Sequence, residues 1–269
     1  ALDLFGTSIR TLPDELFTEP RSLWRSLRLD WSSIDPPMVI KAFDYLRDEP
    51  AHLVDLDQWM AQYCQGCLRQ FGHLGQYSFD EVFARSSLRG QGLPELFRQI
   101  NALHAEHQAL MGVVEAWVNK RPLSADMFFR RLLADKVQHC WRAGITLRLG
   151  VDEPVAGPAW RRPSNRGVLD LSDGVVSDLP QLPASGFSHV EHLDMSNLNV
   201  PPDEINGFIG LFSNIRRLNL SRNNLIALPP ALSELRQITE LNLAFNELTV
   251  NPSTQGCLSR MVELRNLNL

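Results

Sequence analysis

The sequence predicts an α+β fold in two parts, an all-helical domain followed by a stack of short parallel strands. Three observations lead there. The lines Ile215-Arg-Arg-Leu-Asn-Leu-Ser-Arg-Asn-Asn-Leu225 and Ile238-Thr-Glu-Leu-Asn-Leu-Ala-Phe-Asn-Glu-Leu248 both fit L-x-x-L-x-L-x-x-N-x-L, the strand-and-turn half of a leucine-rich repeat. The first position of that line recurs at Arg166, Val190, Ile215, Ile238 and Leu264, in steps of 24, 25, 23 and 26 residues. Between Asp35 and Leu147 the apolar spacing changes to threes and fours, which marks amphipathic helices.

Residues 1–34 read as degenerate repeat-like strands. Leu2 and Leu4 alternate, Leu12-Pro13 resembles the later Leu179-Pro180 and Leu228-Pro229 pairs, and Leu27 follows Leu2 by 25 residues. The alternative is a hairpin or a loose strand pair packed on the helices.

A helical domain is expected over 35–147. Asp35 with Pro36 and Pro37 starts a helix that runs to about Arg47. A second helix carries the stripe Leu53, Leu56, Met60, Cys64, Cys67 and Phe71, and is interrupted by Gly72 and Gly75. A shorter helix is expected from Phe79 to Leu88. Leu96, Ile100, Leu103, His107, Leu110, Val114 and Trp117 then step by four and three, a narrow seam. Ser124 caps a partner helix with the stripe Phe129, Leu132, Leu133, Val137, Cys140 and Trp141. The short link between these two helices implies an antiparallel hairpin. Residues 148–165, rich in Pro, Gly and Arg, form a linker.

Residues 166–269 form the repeat domain, a solenoid whose concave face is made by the strands. Leu218 and Leu220 point into its core, whereas Asn219 and Ser221 point out. Asn223 and Asn246 turn the chain, and their amides form a ladder that satisfies backbone groups of neighbouring coils. Gly174 and Leu198 stand where the earlier coils would carry that asparagine, and Met195 replaces a leucine. Pro229-Pro-Ala-Leu-Ser-Glu-Leu235 supplies the convex side. The chain closes on Leu264-Arg-Asn-Leu-Asn-Leu269, inside a strand, and opens on Ala1-Leu-Asp-Leu-Phe, already a strand. We therefore expect a part of a longer protein, since solenoid edges are normally covered by a capping unit.

Composition narrows the function. With 44% apolar and 21% charged residues and a net charge of −5, nothing indicates nucleic-acid binding. No apolar run approaches a membrane span. Four cysteines in 269 residues do not make a disulfide framework. Cys64-Gln-Gly-Cys67 has a redox or zinc spacing, but it sits inside a helical stripe without a second pair and reads as two core thiols. His104-Ala-Glu-His107 lacks the i,i+4 ligand spacing of a helical metal site, so His107 reads as a core residue. His139 and Cys140 lie at different helical angles, which disfavours a nucleophile–base pair. The sequon Asn219-Leu-Ser221 falls on a strand and is discounted. No catalytic, cofactor or metal residue is assigned.

What remains is a recognition surface. One column of the strand face reads Asp170, Asp194, Asn219, Asn242, Asn268. The next reads Val168, His192, Arg217, Glu240, Asn266, and the outermost Asp173, Asn197, Arg222, Phe245. The expected partner-binding residues are His192, Arg217, Asn219, Arg222, Glu240, Asn242 and Phe245. Arg222 and Phe245 lead because arginines and aromatics dominate interface energies.

The order of a helical hairpin, Val168-Leu-Asp-Leu171, the segment Leu179-Pro…Leu182-Pro…Gly186-Phe-Ser-His-Val190 and then regular repeats resembles bacterial effectors of the novel-E3-ligase (NEL) type. The resemblance implies that the repeats select a substrate, such as a host protein, and restrain a separate helical domain that transfers ubiquitin through a cysteine thioester. It also implies secretion and action in the host cytoplasm. That family's cysteine lies in Cys-x-Asp, whereas Cys64, Cys67, Cys140 and Cys257 are followed two places on by Gly66, Arg69, Arg142 and Ser259. The expectation is thus a non-catalytic recognition part of a ligase, or a binding or scaffold module of a toxin without ligase activity.

Overall fold

The computed structural model describes residues 2–4, 7–18, 24, 27–46, 53–120, 126–151, 167–183, 186–249 and 252–269. It is a mixed arrangement of helices and small parallel sheets. The chain divides into two compact units, Ala1–His104 with Leu149–Asp152, and Ala105–Arg148 with Glu153–Leu269. The division cuts through two long helices, whereas the apolar spacing alone puts a border at 147/148. Ser124, Arg47 and most of the expected linker lie outside the described residues.

In the first unit, β1 (Leu2–Leu4) pairs with β2 (Leu27–Leu29) in parallel, Leu2 opposite Leu27. A hairpin joins antiparallel strands, so the hairpin alternative is excluded. Helix α1 (Pro36–Leu46) buries Val39, Ala42 and Leu46. Helix α2 (Leu53–Gln70) buries Leu56, Met60, Cys64, Cys67 and Leu68, with Phe71 just beyond it. A 3-10 turn at Gly72–Gln76 follows, opened by Gly72 at φ 69°, a conformation that favours a residue without Cβ.

Helix α3 is shorter than expected, Phe79–Arg85 rather than to Leu88. Its start is fixed by a capping box. The Ser78 hydroxyl accepts from the Glu81 N–H, and the Glu81 carboxylate accepts from the Ser78 N–H. Its end has a cause that the apolar period does not carry. Ser86 leaves helical geometry, and its hydroxyl donates to the Leu149 carbonyl at 2.6 Å while accepting from the Leu88 N–H. The first part of α4 (Leu93–Asn119) adds Leu96, Phe97, Ile100 and Leu103 to the core.

In the second unit, the rest of α4 lies along α5 (Met127–Leu149). Trp117, late in α4, meets Arg130, early in α5. His107, ten residues back on α4, stacks on Trp141, further along α5, with ring centroids 5.0 Å apart. Contacts that step back on one helix as they advance on the other make the pair antiparallel. The α5 stripe differs from the expected one. Leu133, Val137, Cys140 and Trp141 are buried, but Leu132 is 41% exposed, and Arg130, which the apolar stripe leaves out, is fully buried. Arg130 is tolerated because its guanidinium is bonded on several sides. It pairs with Asp126 and Asp178, donates to the Trp117 carbonyl at 2.9 Å and to the Ser177 hydroxyl, and lies over the Trp117 ring.

Five short strands follow among the described residues: β3 (Val168–Asp170), β4 (His192–Asp194), β5 (Arg217–Asn219), β6 (Glu240–Asn242) and β7 (Asn266–Asn268). They form one parallel sheet in chain order, with Leu169, Leu193, Leu218, Leu241 and Leu267 in one register row. The first four of these leucines are buried, as are Leu171, Met195, Leu220 and Leu243 two residues on. Helix α6 (Pro202–Ile209) follows β4 and contributes Ile205, Phe208 and Ile209 to that core. A 3-10 turn, Pro230–Glu234, follows β5, and α7 (Pro252–Leu258) follows β6. Proline opens each of these connections, at a position where a missing N–H costs no helical bond.

Candidate functional site

The first four strands of the sheet end in the same local device. Asp170 accepts from the N–H and hydroxyl of Ser172, Asp194 from those of Ser196, and Asn219 from those of Ser221. Asn242 accepts from the Ala244 N–H. These are Asx turns, side chain to backbone two residues on. The column expected to face a partner is therefore partly occupied by its own backbone. Ser221, expected to point out, is buried, because its hydroxyl is drawn in to Asn219 at 2.9 Å. The same geometry explains why the sequon at Asn219 is a turn motif. Asn219 also donates to Asp194 at 3.0 Å across to the preceding strand.

The next column stays open. His192, Arg217, Glu240 and Asn266 stand opposite one another in register. Together with Asn219, Asn242, Asn268 and Arg265 they line a depression of about 430 Å³ on the sheet. Five of the seven expected partner-binding residues meet here: His192, Arg217, Asn219, Glu240 and Asn242. Arg265 joins them without having been expected. Its only signal in the sequence is its place directly before β7, where Arg216 precedes β5.

Arg222 and Phe245 are not strand residues, contrary to the expectation. They sit in the turns after β5 and β6 with φ of 60° and 58°, and Asp173 and Asn197 hold the matching places at 58° and 55°. The arginine guanidinium lies 4.8 Å from the Phe245 ring centroid, and that ring is 75% exposed. One pair earlier, Asn197 donates to Asp173 at 2.9 Å. Neighbouring repeats thus touch along this rim through their left-handed residues.

Behind the turns, Asn223 and Asn246 hold the repeats in register. Asn223 donates to the carbonyls of Met195, Leu220 and Ser221 and accepts the Leu198 N–H at 3.0 Å. Asn246 donates to the carbonyls of Leu220 and Leu243 and accepts the N–H groups of Asn223 and Leu225. Leu198, in the asparagine position of its own repeat, buries its side chain and receives its backbone partner from Asn223. Gly174 occupies the corresponding place in the first repeat because α5 comes close there: a Cβ would strike the Leu133 methyls.

The thiols are not poised for chemistry. Burial pushes Cys64 well above the usual thiol range, helped by Cys67 beside it. Burial also raises Cys67 to about 11 and Cys140 to about 12. Cys140 meets a histidine distant in sequence, His189, at 3.7 Å from Sγ to Nε2, rather than its neighbour His139. The same His189 nitrogen lies 3.0 Å from the Cys140 carbonyl, and the ring fills the space over Gly144. Burial holds His189 below the usual imidazole range, against the pull of the Cys140 carbonyl. Among the described residues no cluster of His, Cys, Asp and Glu could hold a metal ion, and no helix is long and apolar enough to cross a membrane.

The Leucine Rich Repeat family profile matches residues 214–235. The chain is 36% identical over 101 residues to the Protein flightless-1 homolog of Caenorhabditis elegans, a stretch that is 37% of this chain and 8% of that protein. The chain thus spans a small fraction of that relative's length. No solved structure matches. The profile match places a leucine-rich-repeat motif in a region suited to binding other proteins.

Proposed function

We propose that residues 167–269 form a leucine-rich-repeat solenoid whose strand face binds a protein. We further propose that the chain is the substrate-selecting, regulatory part of a secreted bacterial effector of the NEL ubiquitin-ligase type, at work in the host cytoplasm. The recognition reading rests on one observation. His192, Arg217 and Glu240 stand in register around one depression, with the exposed Arg222–Phe245 pair in the adjoining turns. The ligase reading rests on the resemblance in the segment from Leu179 to Val190. On that reading the thioester-forming cysteine lies outside these 269 residues. A binding or scaffold module of a toxin without ligase activity is the second reading, supported by the leucine-rich-repeat profile at 214–235 and a partial likeness to an animal protein.

The test is capture of a partner from host lysate, followed by affinity measurement on variants. Phe245→Ala is expected to weaken binding by about 2 kcal/mol with the fold intact by circular dichroism. Binding that survives Arg222→Ala with Phe245→Ala, but is lost on Phe128→Ala with Leu132→Ala, would move the site to the exposed side of α5. A sequence downstream that carries Cys-x-Asp in a helical domain separates the ligase reading from the scaffold reading.

A further inference from the structure

The strand-face depression carries a charge pattern that selects its occupant, on the premise that this face is the recognition surface. Its charged and titratable side chains are His192, Arg217, Glu240 and Arg265. Arg217, Glu240 and Arg265 are exposed, and among the described residues none of the three side chains is held by an ion pair. This differs from the other arginines that matter to the fold. Arg98 is taken by Asp44, Arg130 by Asp178 and Arg148 by Glu106. In a chain of net charge −5, this depression holds two free guanidiniums and one carboxylate.

The order of those charges is set by topology. Arg217 lies on β5, Glu240 opposite it on β6, and Arg265 at the entry to β7. Hydrogen-bonded strands are about 4.8 Å apart, so β5 and β7 lie roughly 10 Å from one another with β6 between. Asn266 stands opposite Glu240, and Arg265 reaches the depression from one residue earlier. A guanidinium presents a planar fork that fits a carboxylate with two hydrogen bonds, and a single desolvated mismatch of sign is costly. The surface therefore reads positive, negative, positive across three strands. Its complement is negative, positive, negative.

We propose that the depression takes a segment of a partner protein in which two carboxylates flank a cation. In an extended segment alternate residues share a face at roughly 6.6 Å spacing, so a Glu-x-Lys-x-Glu stretch presents the three charges in order, and the long side chains on both sides take up the remaining offset. The amides of Asn242 and Asn268, on the same face, offer hydrogen-bond partners to its backbone.

The probes are two synthetic peptides of equal length with every charge inverted, Gly-Glu-Ala-Lys-Ala-Glu-Gly and Gly-Lys-Ala-Glu-Ala-Lys-Gly, capped at both ends. Gly-Glu-Ala-Glu-Ala-Lys-Gly, of the same composition as the first, controls for net charge and should bind more weakly than the first. Binding is followed by amide chemical shifts of the full chain at low salt. The acid–base–acid peptide is expected to bind about tenfold more tightly or better, with shifts confined to β5–β7. In the variant Arg217→Glu, Glu240→Lys, Arg265→Glu the preference should reverse, with an unchanged melting temperature as control. Equal affinity for the two peptides, or an unreversed preference in the variant, overturns the charge assignment. A captured host protein that is lost with Phe245→Ala but indifferent to the triple variant also overturns it, and leaves the recognition reading standing.

Discussion

The side-chain oxygen of Asn246 accepts the backbone N–H of Asn223 at 3.0 Å, and the side-chain oxygen of Asn223 does the same one repeat earlier for Leu198. Each asparagine thereby closes its own turn and completes its neighbour's. Asn223 is the more deeply set of the two, at 2% exposure. Asn223→Ala should destabilise by roughly 1–3 kcal/mol, because its removal strands buried backbone groups that have no water to turn to. Asn246→Ala should cost less. Denaturant midpoints check both; unchanged midpoints for both variants would contradict the ladder, and equal losses would contradict the ranking by burial.

Arg130 gives a second expectation. Arg130→Ala should destabilise by about 3–5 kcal/mol, as it removes the buried guanidinium that pairs with both Asp126 and Asp178. Lys120→Ala, which removes an exposed ion pair to the same Asp178, should cost under about 1 kcal/mol. Urea unfolding of both variants measures the difference.

His189 and Gly144 should behave as a coupled pair. A methyl on Gly144 would overlap the His189 ring, so Gly144→Ala is expected to cost about 1–3 kcal/mol through overpacking. Added to His189→Ala, the same change should cost much less. A double-mutant cycle with no coupling energy would mean that the ring does not occupy that space.

Stability should fall at both ends of the pH range. Burial pulls the Asp178 carboxyl up, but bonds from Lys120 and Arg130 overcome it and hold the group below the usual range. A depressed carboxylate contributes stability above its unfolded value and loses it as pH falls. Cys67 and Cys140 are raised from 9.0 to about 11 and about 12, so their contribution is full below 9.0 and is lost as pH rises through those values. Thermal melts from acid to alkaline pH should show both declines. At mildly alkaline pH, iodoacetamide should label Cys257 well before the three buried thiols, and incubation with a ubiquitin-charged conjugating enzyme should give no reducible adduct.

The strands are legible in the sequence because inward leucines must recur at a fixed register if they are to share one core. The spacing of Val190, Ile215 and Ile238 alone is enough to place the sheet. The Asx turns are legible too, as Asp or Asn followed two places on by Ser at 170, 194 and 219, but simple strand alternation assigns those side chains outward. Arg130 is hidden. An apolar stripe admits no arginine, and only Asp126, four residues away, hints at a partner; Asp178 lies 48 residues on. His189 and Cys140 likewise meet through packing that no local period records. The left-handed turns at Arg222 and Phe245 leave no local signal, because neither residue type announces that conformation.

On the proposal that this rim meets a partner, those turns set stability against recognition. A side chain in the left-handed region costs roughly 1–2 kcal/mol relative to ordinary backbone, and glycine is nearly free of that penalty. Four successive repeats nevertheless hold Asp173, Asn197, Arg222 and Phe245 there. In a variant library sorted for resistance to heat, glycine should accumulate at 222 and 245. In the same library sorted for grip on a partner, it should disappear from them. Divergence between the two sorted pools would make this rim a place where the chain tolerates strain to keep its side chains on display.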